Sequence, residues 1–163
     1  MDFFRLFPLF CILFCILPVS GYAQMGGSPS PDPQVRRALD QEELNYEVDE
    51  DGDFRMIFNV GGGRSQLVWV KSRTVDAAGL EIRRVFSMVY FQEEDSPVPD
   101  RVAQWALQRN PNMGSVRSTG NGVVFFEVQV DANASPSTLS SVINGVAGIA
   151  DKYEQEQSSG DKL

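Results

Sequence analysis

In the middle of this chain apolar residues recur at every second position, and short glycine-bearing turns cut that alternation into strand-length pieces. "FRMIFNV" puts Phe54, Met56, Phe58 and Val60 on one side, "GGGRS" interrupts, and "QLVWVKSR" resumes the pattern. Further on, "MGSVRS" and "VVFFEVQVD" flank "TGNG", with Val124, Phe126, Val128 and Val130 sharing a side. A two-residue period belongs to β-strands with one buried face. Asp51-Gly52 and Asn121-Gly122 are hairpin turns, because both dipeptides accept positive φ. Strands joined by hairpins pair antiparallel, and such a sheet can leave one face to solvent.

Helical periods bracket the alternation. Val35, Ala38 and Leu39 share a side of a helix of about three turns, with Asp32 as its cap and Pro33 in its first turn. Asp100 to Asn110 reads as a second helix, with Val102, Trp105 and Ala106 inward and Pro111 as its stop. Ser135 and Pro136 open a long third helix, in which Leu139, Val142, Ile143, Val146, Ile149, Ala150 and Tyr153 recur at three-to-four spacing. Gly145 and Gly148 are expected to allow close approach along it. "LEIRRVFSMVYF" fits either period: a strand groups Leu80, Ile82, Phe86, Met88 and Tyr90, a helix Ile82, Val85, Phe86 and Val89. Its β-branched and aromatic content favours the strand. The expected architecture is α+β, an antiparallel sheet of five to six strands with helices on one face, in the order α-β-β-β(β)-α-β-β-α.

The ends have a different composition. "MDFFR" followed by "LFPLFCILFCIL" and "VSGYAQ" has the parts of a secretory signal peptide: one basic residue, about twelve apolar ones, and a small-residue ending. The expectation is a cleaved leader over 1–23, with cleavage after Gly21 as the alternative, and a secreted or periplasmic product. A spanning helix needs roughly 20 apolar residues, so no membrane attachment is expected once the leader is removed. Residues 24–33, "QMGGSPSPDP", read as a disordered linker, 34–157 as one domain, and 158–163 as a disordered tail.

This leader also decides which chemistry is open. Cys11 and Cys15 both lie within it and the chain has no histidine, so the processed protein can form no disulfide and use no Cys or His nucleophile or ligand. One basic and one acidic residue leave with the leader, so the net charge stays at −8. That balance is unfavourable for nucleic acid or an anionic membrane, which need clustered Lys and Arg.

Three stretches could still carry a site. "VDEDGDFRM" gathers four carboxylates around Gly52. A helix–loop–helix calcium site needs a bidentate Glu at loop position 12. The register starting at Glu47 places Phe58 there, and the register starting at Asp49 places Val60. Strands flank the loop, so it reads as a turn. "NVGGGRS" lacks the Lys-Ser/Thr pair and following helix of a phosphate loop and reads as a hairpin. "NAS" at Asn133–Ser135 matches a glycan acceptor but doubles as a helix cap. Asp40, Glu42, Glu43, Glu93, Glu94 and Asp95 fit a solvated surface rather than a facing catalytic pair. No catalytic, cofactor-binding or metal residue is assigned, and no cofactor is expected.

What remains is apolar surface. Trp69, Trp105, Phe86, Tyr90 and Phe91 are expected in the core. If one sheet face is uncovered, Val68, Val70, Val85, Val89 and Phe91 are expected to form an exposed apolar patch, and such patches mark protein interfaces.

The element order, "DEDGDFRMIF" after a first helix, "QLVWV", the helix "WALQRNPNMGSV" and "VVFFEVQVD" before a long last helix resemble the YbjN-type family. These are bacterial domains that share the fold of type III secretion chaperones, and the resemblance spans about residues 34–153. It implies a non-enzymatic binding or regulatory domain, often dimeric, with its sheet or a helix at the interface. No catalytic residue belongs to the family pattern, and its members are mostly cytoplasmic, from which the leader sets this chain apart. The expected function is an exported protein-binding or chaperone-like domain with a protein partner, foremost a second copy of itself. A carboxylate-only hydrolase and a weak calcium-responsive module acting through Asp49, Asp51 and Asp53 are the alternatives.

Overall fold

A computed structural model describes residues 30–92, 96–119 and 122–157. The expected leader, most of the linker and the tail lie outside them, as do Gly120 and Asn121 of the expected Asn-Gly turn. The described residues form helix α1 (Pro33–Gln41), strands β1 (Glu47–Val48), β2 (Phe54–Gly61), β3 (Arg64–Val70), β4 (Val75–Ala77) and β5 (Leu80–Phe91), helix α2 (Asp100–Leu107), strands β6 (Ser115–Ser118) and β7 (Val123–Asp131), and helix α3 (Pro136–Gln157). The fold is α+β, as its periods predict. All strand pairs are antiparallel, in the order β1-β2-β3-β5-β7-β6, with β4 beside β5 beyond the end of β3. The segment with two possible periods is the 12-residue strand β5, at the centre of the sheet. α2 stops at Leu107, short of the expected Asn110, and leaves that leucine 87% exposed.

α3 lies across the sheet, touching β2, β3, β5 and β7, and α1 packs beside it. Leu139, Ile143, Val146, Ala147, Ala150 and Tyr153 of α3 are buried with Val35, Ala38 and Leu39 of α1. Beneath them sit Phe54, Met56, Val68, Val70, Val85, Val124, Phe126 and Val128. α2 joins this layer through buried Val102 and through Trp105, whose ring meets Tyr153 edge-on at 5.5 Å. Of the two helical glycines, Gly145 faces Met113 so closely that a Cβ would come within 3.2 Å of its methyl carbon, whereas Gly148 has nothing within 4 Å.

Ion pairs seal the rim of this layer. Arg64, at the start of β3, donates to Asp151 (2.7 Å) and Glu154 (3.2 Å) and so ties the β2–β3 turn to α3. Buried Arg83 donates to the carbonyls of Lys71 (2.7 Å) and Ser72 (3.0 Å) and to Asp32 (2.5 Å). Asp32 caps α1 by accepting the Gln34 amide at 2.7 Å, so residues 32 and 33 belong to the fold rather than to a linker. Burial opposes the charged form of Asp32, but the Gln34 amide and the Arg83 guanidinium outweigh it, and its pKa lies below the ordinary carboxylate value.

Candidate interaction surface

Antiparallel partners point to the same side of a sheet, so the strand register assigns every residue to a face. Val68 pairs with Ser87 and Val70 with Val85, all on the helix side. Trp69 pairs with Phe86, Ile57 with Leu67, Met88 with Phe125, and Val75 with Ile82, all on the opposite side. Among the described residues no helix covers this second side.

The expected patch is therefore corrected. Val68, Val70, Val85 and Val89 are at most 1% exposed and lie under the helices, because the slim branched side chains are the set that packs against α3. Phe91 is on the open side and 50% exposed. Its position follows from a bulge in β5: Met88 pairs with Phe125 and Tyr90 with Val124, so Val89 is the extra residue and the alternation shifts by one. Tyr90 thereby turns to the helix side, half-buried, and Phe91 turns away from it. Trp69 and Phe86, expected in the core, are half-buried on the open face.

An aromatic row crosses the middle of this face. Trp69 stacks on Phe86 with centroids 5.5 Å apart and planes 7° from parallel, and Phe86 meets Phe125 edge-on at 5.6 Å. Both arrangements are favourable for rings with negative faces and positive edges. Ile57 (72% exposed), Val75 (54%) and Leu80 (58%) extend the apolar surface outward.

Beside the row sits an acid that the open face nevertheless buries. Glu127 pairs with Phe86 across the β5–β7 ladder, is 1% exposed, accepts from Arg84 Nε at 2.6 Å and lies 3.6 Å from Arg117 Nε. The Arg84 guanidinium also sits 6.0 Å from the Phe86 ring centre, so its apolar stem and the neighbouring rings screen the carboxylate from water. At the far edge Arg55 pairs with Glu47 across the β1–β2 ladder.

The acidic stretch before β2 is a turn. Asp49 accepts from the amides of Asp51 (3.0 Å) and Asp53 (2.9 Å), and Gly52 turns the chain at φ 76° while its amide reaches the Asp49 carbonyl. Buried Asp53 is held by Lys71 and by the Ser72 amide (2.8 Å). Gly61, Gly62 and Gly63 all adopt positive φ and close the β2–β3 hairpin. Ser135 caps α3, accepting from the Thr138 amide at 3.1 Å.

The surface could not be located from the residues alone because both sides of β5 are apolar. Its helix-facing set even includes Arg83 and Ser87, which look like outward residues. Size separates the sides only where β3 pairs with β5, with Val68, Val70 and Val85 toward the helices and Trp69 and Phe86 opposite; β2 and β7 put Phe54 and Phe126 under the helices as well. No protein-family model matches this chain, and no curated protein is significantly similar to it.

Proposed function

We propose that this chain is an exported, non-enzymatic protein-binding domain of the YbjN type, regulatory or chaperone-like, that works as a homodimer. The carrying observation is the sheet face that no described helix covers, with Trp69, Phe86 and Phe125 in a row and Ile57, Val75, Leu80 and Phe91 exposed around it. Apolar surface of that extent, rimmed by charge, is what protein interfaces are made of. The order of elements, a helix, a strand meander, a helix, a hairpin and a long last helix, supports the family reading. Export rests on the leader pattern of residues 1–23.

The non-enzymatic reading is supported by how the buried acids are used. Asp53 is paired with Lys71, Glu127 with Arg84, and Glu154 with Arg64. A carboxylate paired in this way is engaged in holding the fold together rather than aimed at a substrate. Sedimentation equilibrium on the chain from Gln24 onward tests the reading, with a dimer expected in the micromolar range. A monomer that retains no protein partner in pull-downs would sink it, as would turnover on a panel of glycoside and ester substrates.

A further inference from the structure

We propose that the open sheet face is the homodimer seam: two copies of this chain dock sheet against sheet, with Ile57, Trp69 and Phe86 in the contact. The inference rests on the homodimer reading above and assigns the seam through which the two copies meet.

The exposed apolar residues gather on one face. Among the described residues six large hydrophobic side chains are exposed, and Ile57, Val75, Leu80 and Phe91 all lie on this one face. They run from one end of β5 to the other and enclose the aromatic row. Val48 and Leu107 lie elsewhere.

Charge then selects the partner. The chain carries −8 overall, so two copies repel across an average pair of surfaces. On the strands of the open face Arg55, Arg84 and Arg117 balance Glu47, Glu127 and Asp131. This face is neutral on a strongly acidic protein, and a second copy can approach it without that repulsion. Arg55–Glu47 and Arg84–Glu127 are moreover paired within one chain. Docking would therefore leave both of these pairs intact and avoid stranding their charges, the condition under which burying a charge becomes costly.

Area and geometry agree. At ~4.8 Å between strands and ~3.3 Å per residue, the seven strands span a face on the order of 700 Å². A standard stable interface takes about 800 Å² from each partner. Two twisted sheets pack about 10 Å apart with their strands within roughly 30° of each other. A twofold axis through the face would set each aromatic row against its own copy. The rival surface is the groove between α2 and β6, lined by Ala103, Ala106, Leu107, Val116 and Val124. Its volume is about 230 Å³, room for one or two side chains rather than a subunit.

The test compares variants by sedimentation equilibrium on the chain from Gln24 onward. Ile57→Glu replaces a side chain already 72% exposed, so it leaves the monomer folded. Placed at the seam it buries an unpaired charge in each copy and should raise the dimer dissociation constant at least ~100-fold. Phe86→Glu should do the same, while Leu107→Glu, on α2, should leave the dimer intact. A dimer that survives both face variants would overturn the proposed seam and leave the homodimer reading standing. A wild-type chain that stays monomeric would overturn both. Finding a different protein bound at the face, and released by Phe86→Glu, would replace the second copy as its occupant.

Discussion

The two faces of this sheet are built from the same strands and treat hydrophobicity in opposite ways. On the helix side Val68, Val70, Val85 and Phe126 are completely buried, because α3 lies on top of them. On the other side Trp69 and Phe86, just as apolar, stay half-exposed because among the described residues no helix lies over them. Residue character sets what each face could bury, and the helices decide which face does. The polar residues follow the same rule. Arg83 and Gln66 are buried on the helix side by bonds to backbone and side-chain oxygens. Glu127 on the open side is buried only under the neighbouring arginine stems and rings.

The contrast breaks most clearly under ring truncation. Phe126→Ala removes a fully buried ring that meets Tyr153 edge-on at 5.9 Å, and it should cost about 3–5 kcal/mol in urea unfolding. Phe86→Ala removes a ring of the same size from the open face and should cost about 1–2 kcal/mol, from partial burial and the lost stacking on Trp69. Measurements must be made where the chain is monomeric. Equal losses would mean that the open face is covered within one subunit. Next in size is Gly114, which brings the chain into β6 at φ 72° where a Cβ would lie 2.3 Å from the Glu127 carbonyl oxygen. Gly114→Ala should cost more than about 2 kcal/mol, from the left-handed backbone and from pushing β6 off β7. A loss below half of that would show that β6 is a loose edge.

Much of this is legible in the residues themselves. The helical period that begins at Ser135, the hairpin glycines, the Asp32 cap and the run Leu139–Tyr153 place most of the elements. Which face of the sheet the helices choose was not legible, because both alternating sets of β5 are apolar and no local propensity separates them. The choice depends on contacts between Val68 or Val85 and a helix more than fifty residues later in the chain. The bulge at Val89, which sends Phe91 to the open side, is likewise a property of the β5–β7 pairing and leaves no mark in the local pattern. Glu127 sits mid-strand between Phe126 and Val128 and gives no sign in sequence that Arg84, 43 residues away, will cover it.

That acid offers the next, smaller test. Glu127→Ala leaves Arg84 and Arg117 without their carboxylate, but both arginines reach solvent. The loss should therefore be about 1–2 kcal/mol, well below the 3–5 kcal/mol of an ion pair broken deep in a core. Glu127→Gln, which keeps the shape and a hydrogen-bonding oxygen, should recover part of it. A loss at the deep-core level in urea unfolding would mean that the arginines are as dry as those on the helix side.

The smallest expected effect comes from the rim of the covered face and is read through pH. Asp32 has a pKa held below that of the unfolded chain by the Gln34 amide and Arg83. A depressed carboxylate contributes stability that is fully present above its unfolded value, near 3.9, and lost as pH falls through its folded value. Asp32→Asn keeps an amide oxygen for the cap but removes the charge facing Arg83, so it should lower stability at neutral pH and flatten part of the acid limb, the variant and the parent chain converging as pH falls. Asp32→Ala removes the cap as well and should cost about 1 kcal/mol at neutral pH, with more added if Arg83 finds no other anion. Arg83 is 2% exposed and its remaining bonds go to the carbonyls of Lys71 and Ser72, so it cannot turn to water as Arg84 can. If Asp32→Asn were to leave the acid limb unchanged, the carboxylate would not be what neutralises Arg83. The sharpest chemical difference between the two faces, a sealed arginine on one and a wetted arginine on the other, would then lose its support.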